Sequence, residues 1–327
     1  MLKKTIGLIG AGYWGKNLVR VFYQLGVLKI ICDLDKEVLK ERKKEYSDLK
    51  TTTDFSEILK DKNIKGVVIA APAATHYRLA KKALLAGKDI LVEKPLVLRV
   101  KEGKELVKLA QKRKLILMVG HQYFYNPAII KIKELIKNGE LGEIQYISSR
   151  RVKFGIIRKV ENVFWSFAPH DISTIIDILG MPKEIQAFGK SYLQKNIPDI
   201  VLAIFKFENN KAGHIFTSWL NPIKEQKITI IGKKKMLVFN DAAKILTLHP
   251  YQIGRSKDKI PQVKKIRERI IKFSSKEPLI EEAKHFLKCI NTRKEPITCG
   301  SESINVLKVL NICQKSINQN GKNLLVS

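Results

Sequence analysis

Three short runs of this chain have residue types at spacings that suit chemistry. Gly10-Ala11-Gly12-Tyr13-Trp14-Gly15 sets glycines at its first, third and sixth positions. Glu93-Lys94-Pro95 joins a carboxylate, an ammonium and a rigid imide, and Pro169-His170 offers an imidazole. The glycine run gains meaning only from its flanks. An apolar stretch over 5–9 reads as a buried strand before it, and Leu18, Val19, Phe22 and Leu25 follow at the spacing of one helix face, up to Gly26. A second strand over 27–32 ends at Asp33, 18 residues past Gly15. In such a unit Gly10 permits a tight turn, Gly12 lets the backbone approach a pyrophosphate, and Gly15 lets helix and strand pack closely. The helix N-terminus then faces phosphate charge. A carboxylate at position 33 accepts hydrogen bonds from the adenosine ribose and repels a 2′-phosphate, which predicts NAD rather than NADP. The alternative is a glycine turn in an ordinary α/β protein; strand, helix, second strand and acid in that order weigh against it.

The elements that would carry these residues fall into two patterns. Strands over 65–71, 89–93 and 115–119 alternate with helices over 75–86 and 100–112. Alternation of this kind implies a doubly wound parallel sheet with ligands outside the strand C-termini. Ala71-Pro72 and Glu93-Lys94-Pro95 lie at two such ends. After Gly120 the pattern changes. A helix over 127–137 is followed by strand-like runs at 143–153, 183–194, 199–208, 212–220, 226–232 and 235–240, with turns at Asn209-Asn210-Lys211 and Lys233-Lys234-Lys235. A helix over 168–179 interrupts them, and helices return over 279–291 and 302–318. The reading is α/β: a Rossmann-type dinucleotide-binding domain over 1–121, then an α+β domain over 122–327 with a large, mainly antiparallel open sheet. The stretch 254–275 is expected to be a mobile insertion.

Composition narrows the classes. A chain of 327 residues, 45% of them hydrophobic, has enough apolar material for two cores. Met1-Leu2-Lys3-Lys4 shows no signal-peptide pattern, and no apolar run is long enough to span a bilayer. Cys32, Cys289, Cys299 and Cys313 form no C-x-x-C pair, so a reducing cytoplasm is expected. The 61 basic against 31 acidic residues give a net charge of +30. The excess is spread over nearly every helix. Its densest stretch, 255–272, lacks interleaved aromatics, so no nucleic-acid or membrane partner is expected, although the charge suits an anionic sugar nucleotide. His214, His249 and His285 have no metal-ligand partners at suitable spacing, and no metal site is expected.

Taken with Ala71-Pro72-x-x-x-His76, Gly139-Glu140-Leu141-Gly142-Glu143 and the His170 segment, these motifs resemble the Gfo/Idh/MocA oxidoreductases over essentially the whole chain. The resemblance implies a Rossmann domain followed by an open α/β domain whose sheet joins subunits, hence a homodimer or homotetramer. It implies NAD-dependent oxidation of a CH–OH group, with Lys94 and His170 catalytic. The cofactor contacts it implies are Gly10, Gly12, Tyr13, Trp14, Gly15, Asp33, Ala71, Pro72, His76, Glu93 and Lys94. Such oxidation requires the hydroxyl proton to leave and the developing alkoxide to be stabilised, and Lys94 supplies a positive donor to that oxygen. The competing reading of Lys94 is a surface lysine at a strand end. His170 sits at a helix N-terminus, whose field disfavours imidazolium. Many relatives carry an aspartate four residues before this histidine. Ser166 stands there instead, so a strict Lys–Asp–His constellation is missing. Asp171 points about 100° away on a helix and is a poor substitute.

The run Asn162-Val163-Phe164-Trp165-Ser166-Phe167-Ala168-Pro169-His170 is similar to that of members acting on UDP-linked N-acetylated sugars, which oxidise the sugar 3-hydroxyl. The substrate contacts this implies are Lys94, Tyr125, Asn126, Arg150, Arg151, Asn162, Ser166 and His170. Arg150 and Arg151 would either meet the diphosphate or form a charged sheet face. Two other readings stand beside this one: a dehydrogenase of a free sugar, inositol or related polyol, and a dinucleotide-binding regulator without turnover.

Overall fold

A computed structural model describes residues 4–155, 157–158, 161–256 and 258–326. The chain divides into two compact units, Met1–Tyr125 with Lys276–Leu307, and Asn126–Ser275 with Lys308–Ser327.

The first unit alternates β1 (Ile6–Ile9), α1 (Gly15–Gln24), β2 (Leu28–Cys32), α2 (Lys36–Glu45), β3 (Lys50–Thr52), α3 (Phe55–Lys60), β4 (Gly66–Ile69), α4 (Ala73–Leu85), β5 (Asp89–Glu93), α5 (Val100–Arg113) and β6 (Leu117–Gly120). A single turn of 3-10 helix, Gln122–Tyr125, follows. The six strands are parallel, in the order β3-β2-β1-β4-β5-β6. Every residue of β1, β4 and β6 is buried, as parallel strands covered on both faces require. The order reverses between β1 and β4, and the crevice outside their C-terminal ends is where such sheets bind ligands. Gly10 and Ala70-Ala71 lie at those two ends.

The sequence did not reveal α2, β3 or α3. In α2 the buried residues are Leu39 and Arg42, too sparse for a periodic signal. The helix is instead started by Asp35, whose side chain accepts from the backbone N–H of Glu37 and Val38.

The second unit contains α6 (Pro127–Lys137), β7 (Ile144–Val152), α7 (Val163–Phe167), α8 (Pro169–Leu179), β8 (Glu184–Lys190), β9 (Ile200–Lys206), β10 (Ala212–Ser218), β11 (Glu225–Gly232), β12 (Lys235–Asn240), β13 (Ile245–Arg255), β14 (Pro261–Lys265) and β15 (Arg269–Ile270). Near the end of the chain come α9 (Pro278–Thr292), α10 (Gly300–Asn318) and β16 (Leu324–Leu325). The second sheet runs β14-β13-β12-β11-β7-β10-β9-β8-β16, with β15 also on β13. Only the β7–β10 pair is parallel among these described strands; the rest are antiparallel. Asn209 and Asn210 take φ of 54° and 56° in the β9–β10 turn, a left-handed pair that suits a tight hairpin. The stretch expected as an insertion forms β14 and β15, which extend the sheet from β13.

Helix α9, placed by sequence with the second domain, belongs to the first unit. Its Leu279, Ala283, Phe286 and Cys289 join the core of that unit, and Phe286 meets Phe22 of α1 edge-on at 6.5 Å between ring centroids. Just past α9, Arg293 clamps the buried Asp89 with two bonds of 2.7 and 2.8 Å. Among the described residues no helix is long and apolar enough to cross a membrane, and no group of three His, Cys, Asp or Glu is placed to hold a metal ion.

Candidate cofactor and active site

The glycine loop is shaped by close approach. A Cβ on Gly15 would lie 1.8 Å from the Gly10 carbonyl oxygen, and one on Gly10, whose φ is +86°, would lie 2.7 Å from the Ala70 backbone. Both positions therefore exclude side chains. Nothing lies within 4 Å of a Cβ built on Gly12, so space is open on that side of the loop. Helix α1 begins at Gly15 with no side-chain cap and no acidic residue in its first turn, so no carboxylate there opposes an anion at the positive end of the helix. Asp33 is locked beside the loop. Its Oδ2 accepts from Ala11 N at 2.7 Å and its Oδ1 from Asp35 N at 3.0 Å. An uncapped helix start, open space over Gly12 and a fixed carboxylate at the end of β2 together fit a dinucleotide with an unphosphorylated ribose.

The neighbouring strand ends are tied to this loop. The Trp14 indole Nε1 donates to Glu93 Oε1 at 2.5 Å, and Lys94 N donates to Glu93 Oε2 at 3.2 Å. Tyr13 and Trp14 are exposed on the loop surface. Burial pushes the Glu93 carboxyl above its ordinary range, opposed by the Trp14 hydrogen bond and the Lys94 charge. His121, just past β6, is buried, and burial first and the Lys94 charge second push it down to about 4, so it is a neutral imidazole at pH 7. Glu282 of α9 is 1% exposed and sits well above its ordinary range, through burial and then the charge of Glu93. Its Oε1 makes no hydrogen bond among the described residues. Glu93, Lys94, His121 and Glu282 thus form a polar cluster inside the first unit, behind the strand end that presents Lys94. Sequence reading did not single out Glu282. The signal was there, since Glu282 falls on the apolar face of α9 defined by Leu279, Ala283 and Phe286.

Several residues expected at the site have partners within the protein. His76 is buried, with Nδ1 2.8 Å from Pro95 O and Nε2 2.8 Å from Ala71 O. Tyr125 is buried, its hydroxyl 3.4 Å from Thr298 Oγ1 and its ring on His285, and burial raises its phenol. Asn126 caps α6, its Oδ1 accepting from Ala128 N.

In the second unit, Asn162 caps α7 by accepting from Phe164 N and Trp165 N, and its Nδ2 donates to Gln314. Arg151 is not held out for a diphosphate. Its Nε and Nη2 donate to the fully buried Asp171 at 2.7 and 3.1 Å, and Ser149 Oγ donates to the same carboxylate at 2.7 Å. Arg150 pairs with Glu225 at 3.0 Å and lies over the Phe216 ring. Asp171 is therefore directed at Ser149 and Arg151 of β7. His170 follows Pro169 at the start of α8, and its carbonyl accepts from Ser173 Oγ and Thr174 Oγ1. Ser166 lies within α7, and the N-cap residue of α8, Ala168, makes no side-chain bond.

A glycine cradle, a fixed carboxylate at the end of β2 and a lysine at a neighbouring strand end suit the binding of a dinucleotide. The chain belongs to the Gfo/Idh/MocA family. Residues 4–121 match the family model described as "Oxidoreductase family, NAD-binding Rossmann fold", and residues 129–238 match the "GFO/IDH/MocA C-terminal domain". Its cofactor is NAD.

Among its relatives is the uncharacterised oxidoreductase YhhX of Escherichia coli (strain K12), 30% identical over 198 residues; the match spans 58% of this chain and 56% of that protein. The UDP-N-acetylglucosamine 3-dehydrogenase of Acidithiobacillus ferrooxidans is 23% identical over 303 residues, covering 91% of this chain and 92% of that one. The solved structure of that enzyme superposes with a TM-score of 0.86 at 22% identity, covering 98% of this chain and 99% of the other. Levoglucosan dehydrogenase, in complex with NADH and L-sorbose, superposes with a TM-score of 0.85 at 19% identity and covers each chain fully, at 100%. At these identities the structural likeness speaks for the fold.

Proposed function

We propose that this oxidoreductase removes hydride from a ring carbon, C3, of a UDP-linked N-acetylated sugar. The observation that carries this reading is the alignment with the UDP-N-acetylglucosamine 3-dehydrogenase, which runs through 92% of that enzyme, where the match to YhhX spans about half of its protein. NAD, held by Gly10, Gly12, Gly15 and Asp33, supplies the hydride acceptor when bound.

The chain's own residues handle the proton and the charge. Lys94 donates to the hydroxyl oxygen and stabilises the developing alkoxide. Glu93 accepts from Trp14 and from the Lys94 backbone, so the carboxyl beside the working ammonium is fixed in place. His121 is neutral and adds no competing charge. His170 is the proposed proton carrier of the second unit, acting without the aspartate that many relatives place at position 166.

A second reading, oxidation of a free sugar or polyol, is favoured by one observation. Arg151 is committed to Asp171 and Arg150 to Glu225, so neither is held ready for a diphosphate. Cytoplasmic action and assembly through the second sheet complete the proposal. All four cysteines are free and buried, and Phe188, Ile245 and Ile253 are exposed on β8 and β13.

The test is absorbance of reduced nicotinamide after adding UDP-N-acetylglucosamine, levoglucosan or an inositol to enzyme and NAD. Reduction with the UDP-sugar alone supports the first reading. Reduction with a free sugar or inositol alone replaces it with the second. Binding of NAD without reduction by any of them would instead mark a regulator.

A further inference from the structure

Two carboxyls lie in the interior behind the end of β5, and they are not equivalent. Glu93 accepts from the Trp14 indole through Oε1 and from the Lys94 backbone through Oε2, so each oxygen meets an N–H. Burial opposes a charge on Glu93, while the indole bond and the Lys94 ammonium support it. Glu282 projects from the buried face of α9 and is 1% exposed. Its Oε1 makes no hydrogen bond, and the side chain makes no ion pair, among the described residues. Burial and the Glu93 charge both hold the proton on Glu282. With one proton on the pair, Glu93 balances Lys94, and His121 beside them is neutral.

That balance changes when a second positive charge arrives. Lys94 is assigned to the oxygen of the carbon that loses hydride, so the ring that takes the hydride stands beside the same lysine. In oxidised NAD that ring is a cation, and in NADH it is neutral. We propose that Glu93 and Glu282 are a charge-balancing pair for the nicotinamide, keeping one proton while the ring is neutral and releasing it from Glu282 when the ring is a cation. The proposal rests on the role given to Lys94 above. In the release the O–H bond of Glu282 breaks, its electron pair stays on the carboxylate and the proton passes to solvent. Two carboxylates then face two cations. The groups packed about Glu282 come from four elements. Helix α9 itself carries Glu281, His285, Lys288 and Cys289, and α1, which packs on α9, carries Lys16, Tyr23 and Arg20, the last bonded to Glu277. The end of β5 brings Glu93 and Lys94, and the turn after β6 brings His121, Tyr123 and Tyr125. Of these, Glu93 is the charge that acts on Glu282, and Lys94 is the cation that acts on Glu93.

The experiment is titration calorimetry of the full chain with oxidised NAD and with NADH, each in two buffers of different ionisation enthalpy, which counts the protons released on binding. Subtracting one cofactor from the other cancels protons moved by the dinucleotide parts they share. At about pH 7 oxidised NAD is expected to release up to about one proton more than NADH. Its Kd is expected to fall, relative to that of NADH, by up to ~10-fold per pH unit while Glu282 of the free protein keeps its proton. In Glu282→Gln both cofactors should still bind and the difference between them should vanish. Glu282→Met serves if the glutamine variant does not fold. Equal proton release by the two cofactors in the wild type overturns the proposal, and so does a difference that survives in the variant. No sugar enters these titrations. Failure of UDP-N-acetylglucosamine to be oxidised would defeat the proposed function and leave the proton count standing, whereas equal proton release would defeat the pair and leave the sugar assay untouched.

Discussion

Replacing Glu282 by glutamine should stabilise the protein by an amount that grows with pH. Free glutamate titrates near 4.5, and the Glu282 carboxyl is held well above that value by burial and by the charge of Glu93. The sign follows from linkage. A group whose folded pKa is raised contributes stability that is fully present below the unfolded pKa and is lost as pH rises through the folded pKa. While Glu282 stays protonated in the native state, each pH unit above 4.5 costs the wild type about 1.4 kcal/mol relative to a neutral side chain of the same shape. The advantage of Glu282→Gln should therefore widen as pH rises above the unfolded value, until the native carboxyl itself ionises. Any constant effect of the new amide on the unbonded Oε1 site cancels in that widening. Urea denaturation at several pH values, with both chains at one ionic strength, reads the change from the midpoints and slopes. A gap that stays flat above the unfolded value would mean that Glu282 is already ionised in the native protein, and the account of the cluster behind Lys94 would fall.

Other perturbations test neighbouring parts. Lys94→Ala should lower turnover ~10²–10⁴-fold with NAD binding retained, and full activity would remove Lys94 from the mechanism. Asp33→Ser with Leu34→Arg should move preference towards NADP, since it removes the carboxylate that repels a 2′-phosphate; a wild type that already prefers NADP refutes the assignment. Arg151→Ala should cost about 3–5 kcal/mol of stability in urea denaturation, because it strands the Asp171 charge in the interior. If it instead raised KM for a UDP-sugar at unchanged stability, Arg151 would be a diphosphate contact after all.

The sequence made β1, β2, β4, β5 and β6 of the first sheet legible because their signals are local. Gly10, Gly12, Gly15 and Asp33 declare a cradle by spacing, and the turn at Asn209-Asn210 declares itself by left-handed preference. What was not legible depends on partners far away in the chain. Arg151 looked available until Asp171, on another element, was found to hold it, and Asn126 and Asn162 looked like ligands where they are helix caps. Tyr125 reads as a site residue by its place after β6, yet its ring is covered by α9, more than 150 residues on. The ring of His76 meets the carbonyls of Ala71 and Pro95, which no periodicity shows.

The Trp14–Glu93 hydrogen bond has an optical consequence. The chain has three tryptophans, and Trp165 and Trp219 are both buried in the second unit. Trp14 is thus the sole indole of the first unit, standing on the glycine loop with its N–H on a carboxyl. Indole emission overlaps the absorption of the reduced nicotinamide and not that of the oxidised form. Excited at the indole band, the protein carries its own donor for energy transfer to the product of its reaction, and sensitised emission would follow cofactor reduction without any attached dye.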